Sequence, residues 1–301
     1  MEQQAEFFKI DQKPMLSDNH TKTYLKCKDY LVSGEVFNLV YDPELDMLIT
    51  NPQPAEKELS KYYESEDYIS HTDSRKTFLD KVYQHVKSMN LSRKVKLING
   101  AATGKGSLLD IGCGTGDFLS FANKKGWKVI GTEPNEKARS IAQAKVLDIY
   151  EDTNKLSSGQ FDVITMWHVL EHVPNLEAYI KELYRLLSEG GVLIVAVPNF
   201  KSFDAKFYKQ FWAAYDVPRH LWHFSKKSIV TLFKGGNFNL LKTEPLLFDS
   251  FYIALLSEKH KTGHMNYVKA FFIGFYSNFK AFFTKEYSSR IYVLQREQKS
   301  N

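Results

Sequence analysis

The sequence predicts a doubly wound α/β fold with a mostly parallel sheet, and three observations lead to it. Apolar segments alternate with helical segments through the middle of the chain, as in parallel sheets with right-handed crossovers. A glycine-rich turn follows the first apolar segment. The 301 residues are 43% hydrophobic, enough to bury a large core. The predicted strands are 107–112, 128–133, 146–150, 161–166 and 191–197, and the predicted helices are 116–125, 135–144 and 176–188.

Three zones organise the chain. Residues 1–80 form an N-terminal cap, in which Val32–Thr50 has the alternation of a hairpin turning near Asp42-Pro43, and residues 55–63 are helical. A helix over 75–99 leads into residues 81–301, the main domain. A helix over 226–235, a strand over 239–247 and a last strand over 288–295 complete that domain. Two insertions, 199–225 and 249–286, are rich in aromatic residues and are expected to wall a pocket and form a lid.

Composition excludes several classes of protein. The formal charge of +5 is small for this length, and no compact basic run with interleaved aromatics indicates a nucleic-acid partner. Two cysteines are too few for a disulfide framework, which favours the cytoplasm. The N-terminus is acidic and polar, unlike a secretory signal. The sequence has no run of 18 apolar residues, so we expect no membrane-spanning helix.

The turn after the first strand carries most of the chemistry. Residues 107–118 place Gly112, Gly114 and Gly116 at alternate positions. A dinucleotide-binding fingerprint, G-x-G-x-x-G, needs glycine at position 117, where this chain has Asp. The Lys and Ser/Thr that end a P-loop do not follow the last glycine either. Asp110 and Asp117 flank the turn with no Lys or Arg between them. This pair would repel a pyrophosphate and attract a ligand that carries cationic groups, such as S-adenosylmethionine. A second strand ends in Glu133, near the offset of about 20 residues at which an acid meets ribose hydroxyls.

Four segments in order resemble the class I S-adenosylmethionine-dependent methyltransferases, especially bacterial enzymes of the ubiquinone-biosynthesis type and those associated with surface polysaccharides. The segments are Leu-Asp-Ile-Gly-Cys-Gly-Thr-Gly (109–116), Gly-Thr-Glu-Pro-Asn (131–135), 161–173 and 190–199. The resemblance implies a Rossmann-like sheet whose last strand is antiparallel and lies beside the fifth.

The resemblance also implies which residues hold the cofactor S-adenosylmethionine. Asp110 would take the methionine ammonium, the glycine backbone would lie under methionine and ribose, and Glu133 would take the ribose hydroxyls. An acid after the third strand, Asp152 or Glu151, would lie near the adenine amine. The expected cofactor-binding residues are Asp110, Gly112, Cys113, Gly114, Gly116, Glu133, Pro134, Asp152, Met166 and Trp167.

Histidines are the candidate general bases, since imidazole titrates near neutral pH. His168 follows the fourth strand, and His220 and His223 lie in the first insertion, where this class builds its acceptor site. Arg219 either binds an anionic substrate group or forms a surface ion pair. Ser225 is expected to cap the helix that follows.

Two alternatives to a methyltransferase stay open at the level of sequence. His168-Val-Leu-Glu171-His172 matches a zinc-hydrolase pattern, with Glu171 as base. A catalytically silent module could also keep the cofactor fold. Relatives often carry a zinc ribbon in the cap, but this chain has only Cys27 there, so we expect a degenerate ribbon without metal.

The acceptor stays open in the sequence. A small molecule, a sugar or a lipid-linked intermediate is compatible with it, by O- or C-methylation. Residues 267–283 are aromatic and basic and suit either a lid helix over the acceptor pocket or a peripheral membrane contact.

Overall fold

A small antiparallel sheet begins the described part of the chain. The computed structural model describes residues 22–63, 78–102, 104–145 and 147–297. The first three strands are β1 (Thr23–Lys28), β2 (Val36–Asp42) and β3 (Met47–Asn51). β2 and β3 pair antiparallel, with Asp42 opposite Met47, which confirms the predicted hairpin. From their polar and aromatic sequence, we expected residues 62–71 to cross the cofactor mouth. Residues 64–71 lie outside the described residues, so this expectation stays a prediction.

The main sheet has seven strands. They are β4 (Ser107–Ile111), β5 (Lys128–Thr132), β6 (Asp148–Tyr150), β7 (Phe161–Trp167), β8 (Leu187–Pro198), β10 (Phe238–Pro245) and β11 (Ser289–Arg296). The order across the sheet is β10-β11-β8-β7-β4-β5-β6. β11 runs antiparallel between β8 and β10, and the strands from β8 to β6 are parallel. The predicted fold class and the place of the last strand are confirmed.

A two-residue strand joins the first insertion to the N-terminal cap. β9 (Trp222–His223) comes from the first insertion, yet it pairs antiparallel with β3 and completes the N-terminal sheet in the order β1-β2-β3-β9. The cap and the insertion 199–225 therefore share one sheet. Local sequence does not reveal this pairing, because the paired strands lie far apart along the chain.

Helices connect the strands and close the insertions. They are α1 (Glu56–Leu59), α2 (Phe78–Ala101), α3 (Asp117–Lys124), α4 (Glu136–Gln143), α5 (Leu176–Leu186), α6 (Phe203–Tyr208), α7 (Lys226–Gly235), α8 (Asp249–Thr262) and α9 (Tyr267–Thr284). Short 3-10 turns lie at Ser60–Tyr63, Leu170–His172, Lys209–Phe211 and Ala213–Tyr215. Ser225 caps α7, as predicted, and Ser228 completes a reciprocal capping box with it.

One predicted boundary was wrong. The helix expected over 176–188 ends at Leu186, and β8 begins at once with Leu187, in extended backbone at ψ 142. Leu187 pairs with Phe161 of β7, so tertiary pairing outweighs the local helical pattern. From their sequence position, we expected Gly190 and Gly191 to close this helix, but they lie inside β8 instead.

Candidate active site

The glycine turn at the end of β4 has an open side. Gly112, Gly114 and Gly116 all have positive φ, at 67°, 55° and 76°. A Cβ at Gly112 would lie 2.5 Å from the Val169 side chain, and one at Gly116 would lie 2.8 Å from Leu147, so packing requires glycine at both positions. A Cβ at Gly114 would meet no described atom within 4 Å. Gly114 therefore leaves bare backbone beside free space, where a ligand can lie.

Glu133 is bonded directly to this turn. Its Oε2 accepts the N–H of Gly114 at 2.8 Å, and its Oε1 accepts the N–H of Asn135 at 2.9 Å. The N–H of Cys113 donates to the Thr132 carbonyl at 2.9 Å, and burial raises the pKa of the Cys113 thiol, so that thiol stays neutral. The Pro134 carbonyl accepts from Arg139 at 2.9 Å. The turns after β4 and β5 thus form one bonded unit with a carboxylate in it.

Asp110 is a buried acid at the end of β4. Its Oδ1 accepts a hydrogen bond from the Thr165 hydroxyl at 2.6 Å. Burial raises the pKa of Asp110 to about 7, against the opposing effects of Thr165 and the Lys94 charge. A cationic group brought beside this carboxyl would favour its charged form. The site is therefore suited to an ammonium ligand.

Lys94 is a charged residue of this site that sequence reasoning missed. It projects from α2, and its Nζ lies 4.1 Å from the centre of the Trp167 ring. Burial lowers the pKa of Lys94, while Asp110 and Asp249 oppose that shift. Among the described residues Lys94 has no ion pair, and Trp167 Nε1 is buried without a hydrogen-bond partner. No sequence pattern distinguishes this lysine from the others on a lysine-rich helix.

Two other predicted cofactor residues have local roles in the structure. Asp152 is exposed, and its carboxylate accepts the N–H and the side-chain amide of Asn154 at 2.8 and 2.9 Å. Met166 is fully buried in the apolar core under the sheet. The predicted contacts of these two residues with the cofactor stay predictions.

His168 lies where two cavities meet. The α2 cavity, of about 740 Å³, is lined by α2 together with Trp167, His168 and Asp249. The insertion cavity, of about 720 Å³, is lined by His168, Asp249, His220, Tyr252 and residues of both insertions. The neighbouring Val169 packs against Gly112, so the loop that carries His168 also touches the glycine turn. The geometry thus joins the cofactor turn to the insertion cavity.

His168 is charged by its neighbours. Its Nε2 lies 2.9 Å from Asp249 Oδ2, and its Nδ1 lies 3.3 Å from Glu171 Oε1. Burial alone would lower the pKa of His168, but the two carboxylates outweigh it and raise the pKa to about 10. At neutral pH His168 is therefore an imidazolium whose two nitrogens both face carboxylates. In that state it holds a proton and cannot accept one.

His220 and His223 have different surroundings, although both are buried. His220 lines the insertion cavity, and its Nδ1 lies 2.9 Å from the carbonyl of Ala214, so Nδ1 carries the proton and Nε2 the lone pair. His223 lies on β9, lines neither cavity, and places Nε2 3.0 Å from Thr50 Oγ1. Burial holds the pKa of His223 well below its usual value. The structure thus brings His168 and His220 to one cavity and leaves His223 in the small sheet.

Arg219 matches neither of its two sequence interpretations. The side chain is 1% exposed and pairs with Asp29 at 2.9 Å and Asp216 at 2.6 Å. Its Nη1 also donates to the Tyr62 carbonyl at 2.9 Å. Arg219 is therefore a buried ionic link between the N-terminal sheet and the first insertion, neither a surface ion pair nor a substrate ligand.

The zinc-hydrolase pattern does not assemble as its spacing suggested. Residues 170–172 form a 3-10 turn, and His168 is bound to Asp249 instead of pointing to the same place as His172. The structure does bring ligand atoms of Glu171, His172 and His220 within 4.8 Å of one another. Burial, and then the nearby His220, lower the pKa of His172 to about 4. The expected absence of metal stays a prediction.

Comparison with known proteins identifies the family. A family model described as "Methyltransferase domain" matches residues 83–243, more than half of the chain. The chain belongs to the methyltransferase domain family. The resemblance seen in the four sequence segments is therefore confirmed, and with it the class of S-adenosylmethionine-dependent methyltransferases.

The relatives of this methyltransferase cover only part of its length. The ubiquinone biosynthesis O-methyltransferase of Pelagibacter ubique (strain HTCC1062) is 30% identical over 158 residues, which are 44% of this chain and 66% of that protein. The enzyme of the same name from Psychrobacter cryohalolentis is 34% identical over 105 residues, 31% of this chain and 40% of that protein. This methyltransferase thus spans less than two thirds of each relative. A solved methyltransferase structure from Galdieria sulphuraria shares the fold, with a TM-score of 0.50 and 12% identity over 72% of this chain and 88% of that one.

The residues of the site fit S-adenosylmethionine. The buried Asp110 carboxyl suits its ammonium, and Lys94, which has no ion pair among the described residues, suits its carboxylate. The open backbone at Gly114, bonded to Glu133, offers a surface for the ribose part.

Proposed function

We propose that this methyltransferase transfers the methyl group of S-adenosylmethionine to a hydroxyl of a small molecule held in the insertion cavity. The observation that carries the proposal is the position of His168. This residue lines a cavity of about 720 Å³, and its neighbour Val169 packs against the glycine turn. That volume lies within the usual range for small-molecule sites. The names of the relatives as O-methyltransferases support a hydroxyl acceptor.

The cofactor is held by residues from three strand ends and one helix. Asp110 binds the ammonium, Lys94 the carboxylate, Gly114 lies against the nucleoside, and Glu133 accepts from the ribose hydroxyls. Gly112, Cys113, Gly116 and Pro134 shape the two turns, and Trp167 lies beside Lys94. When bound, the cofactor supplies a methyl group on a positively charged sulfur, open to attack by a nucleophile.

His220 is the residue proposed to take the proton of the acceptor. Its Nδ1 proton is fixed by the Ala214 carbonyl, so the lone pair of Nε2 is free to accept. The carboxylate of Asp216 lies 4.0 Å from Nε2 and would stabilise the imidazolium formed. His168, charged and paired with two carboxylates, acts as a positioning residue that ties α8 to the end of β7. His223 is not proposed to touch the acceptor.

Release of S-adenosylhomocysteine across a panel of phenols, sugars and lipid-linked hydroxyl compounds tests this proposal. With an accepted compound, His220→Ala should lower kcat by about 10²–10⁴-fold and leave calorimetric binding of S-adenosylhomocysteine unchanged. His264→Ala, at an exposed histidine, is the matched control and should keep full activity. Full activity of His220→Ala would refute the assignment of His220 as the base. If the parent protein does not bind S-adenosylhomocysteine, the proposed methyl transfer is refuted.

We also propose that the protein acts in the cytoplasm. Both cysteines are free thiols in the structure, which supports the cytoplasm. A glycan or lipid-linked acceptor remains a member of the panel, and no nucleic-acid partner is proposed. A peripheral membrane contact through residues 267–283 is a separate proposal, which rests on the outward face of α9.

A further inference from the structure

Helix α9 turns its large apolar side chains outward. Nine of them are between 48% and 69% exposed, and they recur every three or four residues along one side of the helix. We call this stripe the α9 aromatic face, and it consists of Tyr267, Val268, Phe271, Phe272, Phe275, Tyr276, Phe279, Phe282 and Phe283. A continuous exposed apolar surface of this kind marks an interaction site.

The opposite side of α9 fixes this orientation. Small residues face inward, and a Cβ at Gly274 would lie 2.9 Å from the Cα of Phe251, so α8 and α9 are in close backbone contact there. The Ser277 hydroxyl donates to Asp204 at 2.7 Å, and the Asn278 amide donates to the Leu247 carbonyl at 2.8 Å. Buried polar bonds thus hold the helix with its aromatic face toward solvent.

Positive charges border the aromatic face. The sequence of α9 contains no acidic residue. Lys280 Nζ lies 5.2 Å from the Phe203 ring, and Lys285 Nζ lies 5.1 Å from the Phe282 ring, so both ammonium groups lie at the edge of apolar surface. Lys269 is neutralised by Glu258 at 3.0 Å. An apolar stripe with a basic border complements the surface of an anionic bilayer.

We propose that α9 is an in-plane membrane anchor, whose aromatic face enters the interface of a bilayer that contains anionic lipid while Lys280 and Lys285 contact the headgroups. Within the described residues no helix is long and apolar enough to cross a membrane. A second copy of the chain is a poorer partner, because two such faces would bring their basic borders together. The inference is independent of methyl transfer, so it can fail while the proposed function stands.

Co-sedimentation of the full chain with vesicles tests this anchor. The vesicles are phosphatidylcholine alone or phosphatidylcholine with phosphatidylglycerol. The triple variant F272S/F275S/F279S removes part of the aromatic face, and its matched control changes three exposed apolar residues elsewhere, V36S/I141S/L241S. A charge variant, K280E/K285E, is matched by K226E/K227E at two exposed lysines of α7.

The parent should bind the anionic vesicles, and added salt should weaken that binding. Both α9 variants should lower the partition coefficient at least tenfold, while both control variants bind like the parent. An unchanged circular dichroism spectrum would show that the variants are folded, and the charge variant keeps the test decisive if the triple variant does not fold. Equal binding by parent and α9 variants, or no binding of the parent, would overturn the proposal. The proposal would also be overturned if light scattering shows that the parent is a dimer and that the triple variant is a monomer with unchanged vesicle binding.

Discussion

The substitution Gly114→Ala tests whether the cofactor lies against the backbone of Gly114. Gly114 has φ 55°, so alanine there must adopt left-handed backbone, which costs about 1–2 kcal/mol. The new methyl group meets no described atom within 4 Å, so no packing cost is added. We therefore expect Gly114→Ala to lower the free energy of unfolding by about 1–2 kcal/mol and to weaken binding of S-adenosylhomocysteine at least tenfold, because the methyl group takes ligand space.

Two other glycines provide the comparison. Gly159 also has positive φ, at 64°, with nothing within 4 Å of its Cβ, and it lies in the loop before β7, away from the glycine turn. Gly159→Ala should therefore show the same loss of stability with unchanged affinity. Gly112→Ala adds a contact of 2.5 Å with Val169 and should lose a further ~1–3 kcal/mol.

Urea denaturation measures the stability of these variants, and titration calorimetry measures their affinity. If Gly114→Ala binds S-adenosylhomocysteine as tightly as Gly159→Ala does, the ligand does not lie against Gly114. The proposed position of the cofactor would then be wrong, although the cost in stability would stand.

Three further predictions follow from single contacts. Lys94→Met should weaken S-adenosylhomocysteine binding about tenfold or more by calorimetry, since a charged hydrogen bond is worth about 1.5–3 kcal/mol, whereas Lys137→Met on the exposed side of α4 should not. Arg219→Met should lower the free energy of unfolding by about 3–5 kcal/mol in urea, because it leaves two carboxylates without their buried partner, and a loss below 1 kcal/mol would contradict this. Asp249→Asn should lower the pKa of His168 from about 10 toward 6.5 in an NMR titration, and an unshifted pKa would refute the ion pair. Because folding raises the pKa of His168, the ion pair with Asp249 stabilises the folded state by about 1 kcal/mol, the value for a partly exposed pair. This stabilisation is complete below pH 6.5 and is lost as the pH rises through 10.

Much of the fold was predictable because its signals are local. Strand and helix periodicity placed β4, β5 and β7 close to their observed bounds, and Ser225 as an N-cap residue placed the start of α7. The glycine turn was predictable for the same reason, since positive φ at Gly112 and Gly116 leaves a mark in the sequence itself.

The roles of the histidines and of Arg219 were not predictable in this way. His168, His220 and His223 are alike in sequence, but one is paired with Asp249, one lines the insertion cavity and one is packed in the small sheet. Arg219 pairs with Asp29, which lies 190 residues away along the chain. Such partners are brought together by packing and not by neighbouring residues.

The sequence by itself determined the family, the parallel sheet and the acid-flanked glycine turn, because each depends on the order and spacing of nearby residues. Tertiary structure alone decided that β9 completes the N-terminal sheet, that Lys94 lies against the Trp167 ring and that α9 turns its aromatic face outward. The aromatic pattern of α9 is compatible with a buried or an exposed face. The small residues that contact α8 settle the choice, since only they allow the two backbones to approach closely.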